Sequence, residues 1–134
     1  MNNSITIGQD VADTFADIRS NKSPCKWMIC MVNEGTQCTV EHKGDTDWED
    51  FLTKVPQNEP RLIIFDLKFN SDDGRIIQKL VYIKYTPDEC TNTTLKFQYA
   101  NASNAFKQVC QPFNRELQKN DKNDMNRERI ISDL

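Results

Sequence analysis

The segment Arg61–Phe69, RLIIFDLKF, constrains the fold more than any other part of the chain. Its consecutive apolar residues, Leu62 to Phe65, leave no polar face. A run so short and so apolar suits a strand at the centre of a sheet, buried on both sides. Ser71-Asp72-Asp73-Gly74 supplies turn chemistry, and Ile76 to Tyr85 returns as a second strand. A central strand of this kind needs cover on both faces, and the flanking segments supply it.

Gln9 to Ser20 reads as a helix, with Val11, Phe15 and Ile18 on one face and Asp10 near its start to complement the helix dipole. Lys26 to Val32 is a short apolar strand. Asn33-Glu34-Gly35 turns it into Gln37 to Glu41, where Cys38 and Val40 alternate with Thr39 and Glu41 as in a hairpin. Asp47 to Val55 is a second helix, with Asp45 or Thr46 as its cap, a stripe of Trp48, Phe51, Leu52 and Val55, and Pro56 as its stop. Asn92 to about Gln111 reads as a long helix broken near Asn101-Ala102-Ser103, where small polar residues weaken propensity. Phe113, Arg115 and Leu117 alternate as a short edge strand, since Pro112 is tolerated only at a strand start or an edge. Asp124 to Leu134 closes the chain as a helix. Helices and strands mixed in this order give an α/β layered fold, a mixed sheet sandwiched between helices. At 134 residues the chain is expected to form one domain.

The charge pattern narrows the function. Residues 1–74 carry 7 Lys+Arg against 13 Asp+Glu, a balance of −6, and residues 75–134 carry 10 against 7, a balance of +3. That asymmetry reads either as charge scattered over a solvated surface or as a basic face on the C-terminal half that steers an acidic partner. The overall acidity, without a Lys/Arg run, excludes an ordinary nucleic-acid surface. MNNSITIGQD has neither the basic nor the apolar region of a signal peptide, and no run is long enough to span a bilayer. Cys25, Cys30, Cys38, Cys90 and Cys110 are irregularly spaced and are expected as reduced thiols rather than disulfides or metal ligands. The one histidine, His42, has no local signature of a nucleophile–base pair. Asp45-x-Asp47-x-Glu49 begins like a calcium loop. It has Asp50 where the glycine belongs and Pro56 at the twelfth position. No enzyme activity, cofactor or metal is expected.

Several segments carry a resemblance. They are the first helix with Phe15 and Ile18, Val40-Glu-His-Lys-Gly44, Trp48-Glu-Asp-Phe-Leu52 leading to Pro56, and Arg61-Leu-Ile-Ile-Phe-Asp66. Lys79 follows, opening the strand into Tyr85-Thr-Pro-Asp88, and then Lys96-Phe-Gln-Tyr-Ala100. In order and spacing they resemble the ADF/cofilins, the actin-depolymerising factors. The resemblance implies one ADF-homology, gelsolin-like domain over residues 1–134. It implies a monomeric cytoplasmic protein that binds actin monomers and filaments and promotes severing and depolymerisation.

Carried over by position, Ser4, Ile5, Thr94, Lys96, Phe97 and Lys107 would contact actin in both forms. Arg75, Lys79, Arg127, Glu128 and Arg129 would touch only filaments. Ser4 would be a phosphorylation site that weakens docking by adding negative charge. Lys107 would also meet phosphoinositides. The chain departs from the family pattern at Thr94 and Ile77, where the family usually has basic residues, and in a shortened segment before the closing helix. Ser71-Asp-Asp-Gly-Arg75 and Cys90 resemble instead the glia maturation factors of the same superfamily, which bind the actin-related branch-nucleating complex and dismantle branches. Against that alternative, Ile18 to Lys26 lacks their basic-aromatic run, and Lys96 keeps the cofilin-like charge.

Overall fold

The computed structural model describes residues 5–134, so Ser4 lies outside the described residues. The elements are β1 (Thr6–Ile7), α1 (Gln9–Ser20), β2 (Trp27–Asn33), β3 (Gln37–Gly44), α2 (Trp48–Thr53), β4 (Arg61–Asn70), β5 (Ile76–Tyr85), α3 (Thr93–Val109), β6 (Arg115–Lys119), a 3-10 turn (Lys122–Met125) and α4 (Arg127–Ser132). The strands form one mixed sheet in the order β1-β3-β2-β4-β5-β6. Its outer pairs, β1 with β3 and β5 with β6, are parallel, and its inner pairs are antiparallel.

RLIIFDLKF holds the central position expected of it, paired with β2 on one side and β5 on the other. Its pleat divides the core in two. Leu62 and Ile64 face α1 and α3, packing with Phe15, Ile18, Tyr82, Tyr99 and Phe106. Ile63, Phe65 and Leu67 face α2 and α4, packing with Trp48, Phe51, Met125 and Ile130. The mixed sheet covered by helices on both faces is thus the observed architecture.

The structure corrects the sequence reading in several places. The long helix is not broken at Asn101-Ala102-Ser103 but runs unbroken from Thr93 to Val109. Ala102 and Ser103 are buried against the sheet, where small side chains permit close approach, and the Ser103 hydroxyl bonds the Tyr82 hydroxyl at 2.6 Å. A serine satisfied in this way no longer competes with the helix backbone. The cap of α2 is Asp47 itself, whose Oδ1 accepts from Asp50 N at 3.0 Å. The closing helix is interrupted at Asn126, which is extended and caps α4 by accepting from Arg129 N at 2.8 Å. A two-residue strand, β1, was not foreseen because nothing so short has a periodicity to read. β3 runs on to Gly44, with a register shift that leaves Glu41 unpaired opposite the Ile29/Cys30 step.

β2 reaches β4 only from Leu62 to Phe65, and β6 reaches β5 only from Val81 to Tyr85. Residues 66–80 therefore extend past the sheet as a two-stranded ribbon. All five cysteines are free, and four are buried. Burial pushes the Cys110 thiol up to about 12, so it stays protonated and unreactive.

Candidate functional site

α3 begins at Asn92, whose Oδ1 accepts from Leu95 N at 3.0 Å and satisfies one of the unpaired amides of the first turn. One face of the helix then turns inward. Tyr99 accepts from Val32 N at 2.9 Å, Tyr82 bonds Ser103, and the rings of Tyr82 and Phe106 stack with centroids 5.2 Å apart. Below Tyr99 lies a buried guanidinium. Arg61 grips Glu41 through both carboxylate oxygens, at 2.9 and 3.2 Å, and also donates to Pro60 O at 2.7 Å. Burial pushes the Tyr99 phenol above its ordinary value of 10, so the network holds a neutral hydroxyl. Backbone, guanidinium and phenol together fix the helix on the sheet.

The other face of α3 turns outward. Phe97 is 63% exposed, a large apolar ring in water, and Thr93, Thr94, Asn104 and Gln108 lie exposed along the same helix. Lys96 is half-buried, its stem lying along the helix surface, and among the described residues no carboxylate is within ion-pair distance of it. Lys107, a full three turns on, is also half-buried and pairs with Glu116 at 3.4 Å. Ile5 departs from expectation. It is only 9% exposed and belongs to the core between α1 and α3, so it packs rather than presents a side chain.

The second set of residues lies across the sheet. Arg75 sits in the turn of the ribbon, its side chain 73% exposed and bonded to Asp73 at 2.9 Å. Lys79 pairs with Leu67 and so points to the α4 side. Arg127 donates to Lys68 O at 2.8 Å, which ties the first residue of α4 to the ribbon edge. Glu128 is exposed. Arg129 lies 3.7 Å from Asp124 and 3.6 Å from Asp133, and Asp133 also takes the ammonium of Lys119. Lys119, followed by Arg129, holds the Asp133 carboxyl below its usual range. The ribbon and α4 form one charged surface, on the opposite side of the sheet from α3. Ile76, 70% exposed near the ribbon tip, was missed by the sequence reading, because within a strand it is indistinguishable from a core isoleucine.

Among the described residues no group of three or more His, Cys, Asp or Glu could hold a metal ion, and His42 is exposed on β3. The family model of cofilin/tropomyosin-type actin-binding proteins matches residues 4–134.

The chain belongs to the ADF/cofilin family of actin-binding proteins.

Members of that family bind actin and are not enzymes. This ADF/cofilin chain is 32% identical over 113 residues to actin-depolymerizing factor 7 of Arabidopsis thaliana, covering 83% of this chain and 80% of the relative. Its fold matches the cofilin of Streptomyces griseoflavus with a TM-score of 0.86 at 22% identity, covering 96% of this chain and 98% of the other. It also matches the glia maturation factor of Caenorhabditis elegans, with a TM-score of 0.74 at 22% identity over the whole of both chains. These two structural likenesses concern the fold alone.

Proposed function

We propose that this ADF/cofilin protein binds both monomeric and filamentous actin and promotes severing and depolymerisation of filaments. It works as a cytoplasmic monomer built of one ADF-homology domain over residues 1–134. The reading is carried by α3, a 17-residue helix held to the core on one face and offering Phe97, Thr94 and Lys96 on the other. An exposed aromatic ring is the kind of residue interface cores favour, and a cation beside it with no internal ion pair among the described residues can steer and orient an acidic partner.

In this reading α3 enters a groove on one actin subunit, with Lys107 at the far end, where anionic phosphoinositides would compete. The ribbon and α4, through Arg75, Lys79, Arg127, Glu128 and Arg129, meet the neighbouring subunit of a filament. Contact with two subunits from opposite sides of one rigid sheet favours the lattice geometry that fits both. A ligand preferring one lattice shifts the filament toward it by differential affinity, with no chemistry of its own. Ser4, just ahead of β1, is the residue at which phosphorylation would add charge and weaken docking.

Pelleting with pure filaments, paired with a monomer-binding measurement, tests the proposal. The protein should sediment with filaments, bind monomers and raise the unpolymerised pool. The turn Ser71–Arg75 keeps the glia-maturation-factor reading as the second one, and it predicts binding only when the branch complex is present. Failure to bind either pure form of actin would sink the first reading.

A further inference from the structure

The turn between β2 and β3 abuts α3, and its conformation disagrees with its sequence. Thr36 N donates to Asn33 O at 3.0 Å, closing a four-residue turn whose central residues, Glu34 and Gly35, have φ of 53° and 71°. Positive φ at both central positions is the signature of the type I′ hairpin turn, which favours Asn-Gly, Asp-Gly or Gly-Gly. Gly35 meets that demand. It also lies against α3, since a Cβ there would stand 2.5 Å from Nε2 at the tip of the flexible Gln98 side chain, which can move aside. Glu34 does not meet the demand. A side chain with a Cβ and no short local hydrogen bond is strained in the left-handed region.

Among the described residues, no hydrogen bond or ion pair engages the Glu34 carboxylate, which is exposed. The turn also marks a junction of three elements. Gly35 touches Gln98, the neighbour of Phe97. Thr6 N donates to Thr36 O at 2.9 Å, which brings the N-terminal strand to the same end. Strain held in place by rigid surroundings is a feature of binding and catalytic sites.

We propose that Glu34 is part of the actin-contacting surface, its carboxylate held beside the exposed face of α3 to pair with a lysine or arginine of actin. The proposal rests on the α3 reading above and extends that surface onto the β2–β3 turn. An acidic residue on this turn adds a charge of opposite sign to Lys96 of α3, and charges of both signs fix the orientation of a partner better than one alone.

Two variants separate strain from charge. Glu34→Asn installs the preferred Asn-Gly pair, and Glu34→Gln keeps the strained backbone while removing the charge. Thermal unfolding of Glu34→Asn should shift upward by about 3 °C, and Glu34→Gln should melt as wild type. Both variants should bind monomeric actin about threefold to tenfold more weakly, with a shallower dependence on salt. A Glu34→Asn protein that binds like wild type, or that melts no higher, overturns the proposal. Wild-type protein that binds no actin overturns instead the α3 reading on which it rests. Binding lost in Lys96→Glu but unchanged in both Glu34 variants overturns only the role of Glu34.

Discussion

The two surfaces differ in how their side chains are held. The α3 surface stands on a helix of 17 residues that is capped at Asn92 and bonded on its inner face at Tyr99 and Ser103, and whose outward lysine, Lys96, has no internal acidic partner among the described residues. The surface across the sheet stands on a six-residue helix and a projecting ribbon, and three of its four cations are already engaged, Lys79 alone making neither an ion pair nor a side-chain hydrogen bond among the described residues. Arg129 lies near Asp124 and Asp133, Arg75 is on Asp73, and Arg127 is on Lys68 O. A rigid support with an uncommitted charge concentrates binding energy in a few groups. A short support with exposed, mutually paired charges spreads it thinly, since each exposed pair is worth little.

The most severe test removes the support. Phe106→Ala deletes a fully buried ring stacked on Tyr82, and urea unfolding should show a loss of about 3–5 kcal/mol. If the loss is under 1 kcal/mol, α3 is not anchored as described. Next comes the contact itself. Lys96→Glu should lower affinity for monomers and filaments alike by roughly 30-fold, equivalent to about 2 kcal/mol, with an unchanged melting temperature. A variant that binds normally would remove Lys96 from the surface.

The opposite surface should answer more quietly. Arg129→Ala should weaken filament pelleting by only a few-fold and leave monomer binding intact. Its exposed ion pairs should contribute less than about 1 kcal/mol to stability. Equal losses for monomers and filaments would erase the distinction between the two faces. The smallest effect is expected at Asp66, at the root of the ribbon, where burial raises the carboxyl above its ordinary 3.8 while Gln78 donates to both its oxygens at 2.9 and 2.8 Å. A raised carboxyl favours folding in its protonated form, so its stabilisation is fully present below 3.8 and is lost as pH rises through the folded value. Asp66→Asn, which keeps an acceptor for Gln78, should therefore be slightly more stable than wild type at pH 7. The difference should vanish in acid titrations below pH 3.8. An advantage that grows on acidification would refute that assignment.

The layout of the sheet could be read from residue order because the decisive signals were local and strong. Four apolar residues in a row at Leu62 to Phe65 leave no solvent face for any edge position, and the 71–74 turn sets the β4–β5 hairpin. Val11, Phe15 and Ile18 repeat with the helical period, and Gln9–Ser20 folds with the bounds that this pattern implies. The docking residues were legible only through family resemblance, since a lysine such as Lys96 carries no local mark of its partner. Ile5 shows the limit of that transfer, because position in an alignment says nothing of which way a residue just ahead of β1 turns its side chain.

Residue order by itself determined the central strand, the hairpins and the helices over most of their length, since each depends on neighbours within a few residues. The unbroken course of α3 was decided only in three dimensions. Propensity at Asn101-Ala102-Ser103 favours a break, but Tyr82, twenty-one residues earlier, supplies the hydroxyl that Ser103 needs and the flat wall against which Ala102 fits. The same holds for the left-handed turn at Glu34, which closes the registered β2–β3 hairpin beside Gln98 of a helix more than sixty residues away. Packing free energy summed over a sheet outweighs local preferences worth at most a few kcal/mol each, so the tertiary structure has the last word at such positions.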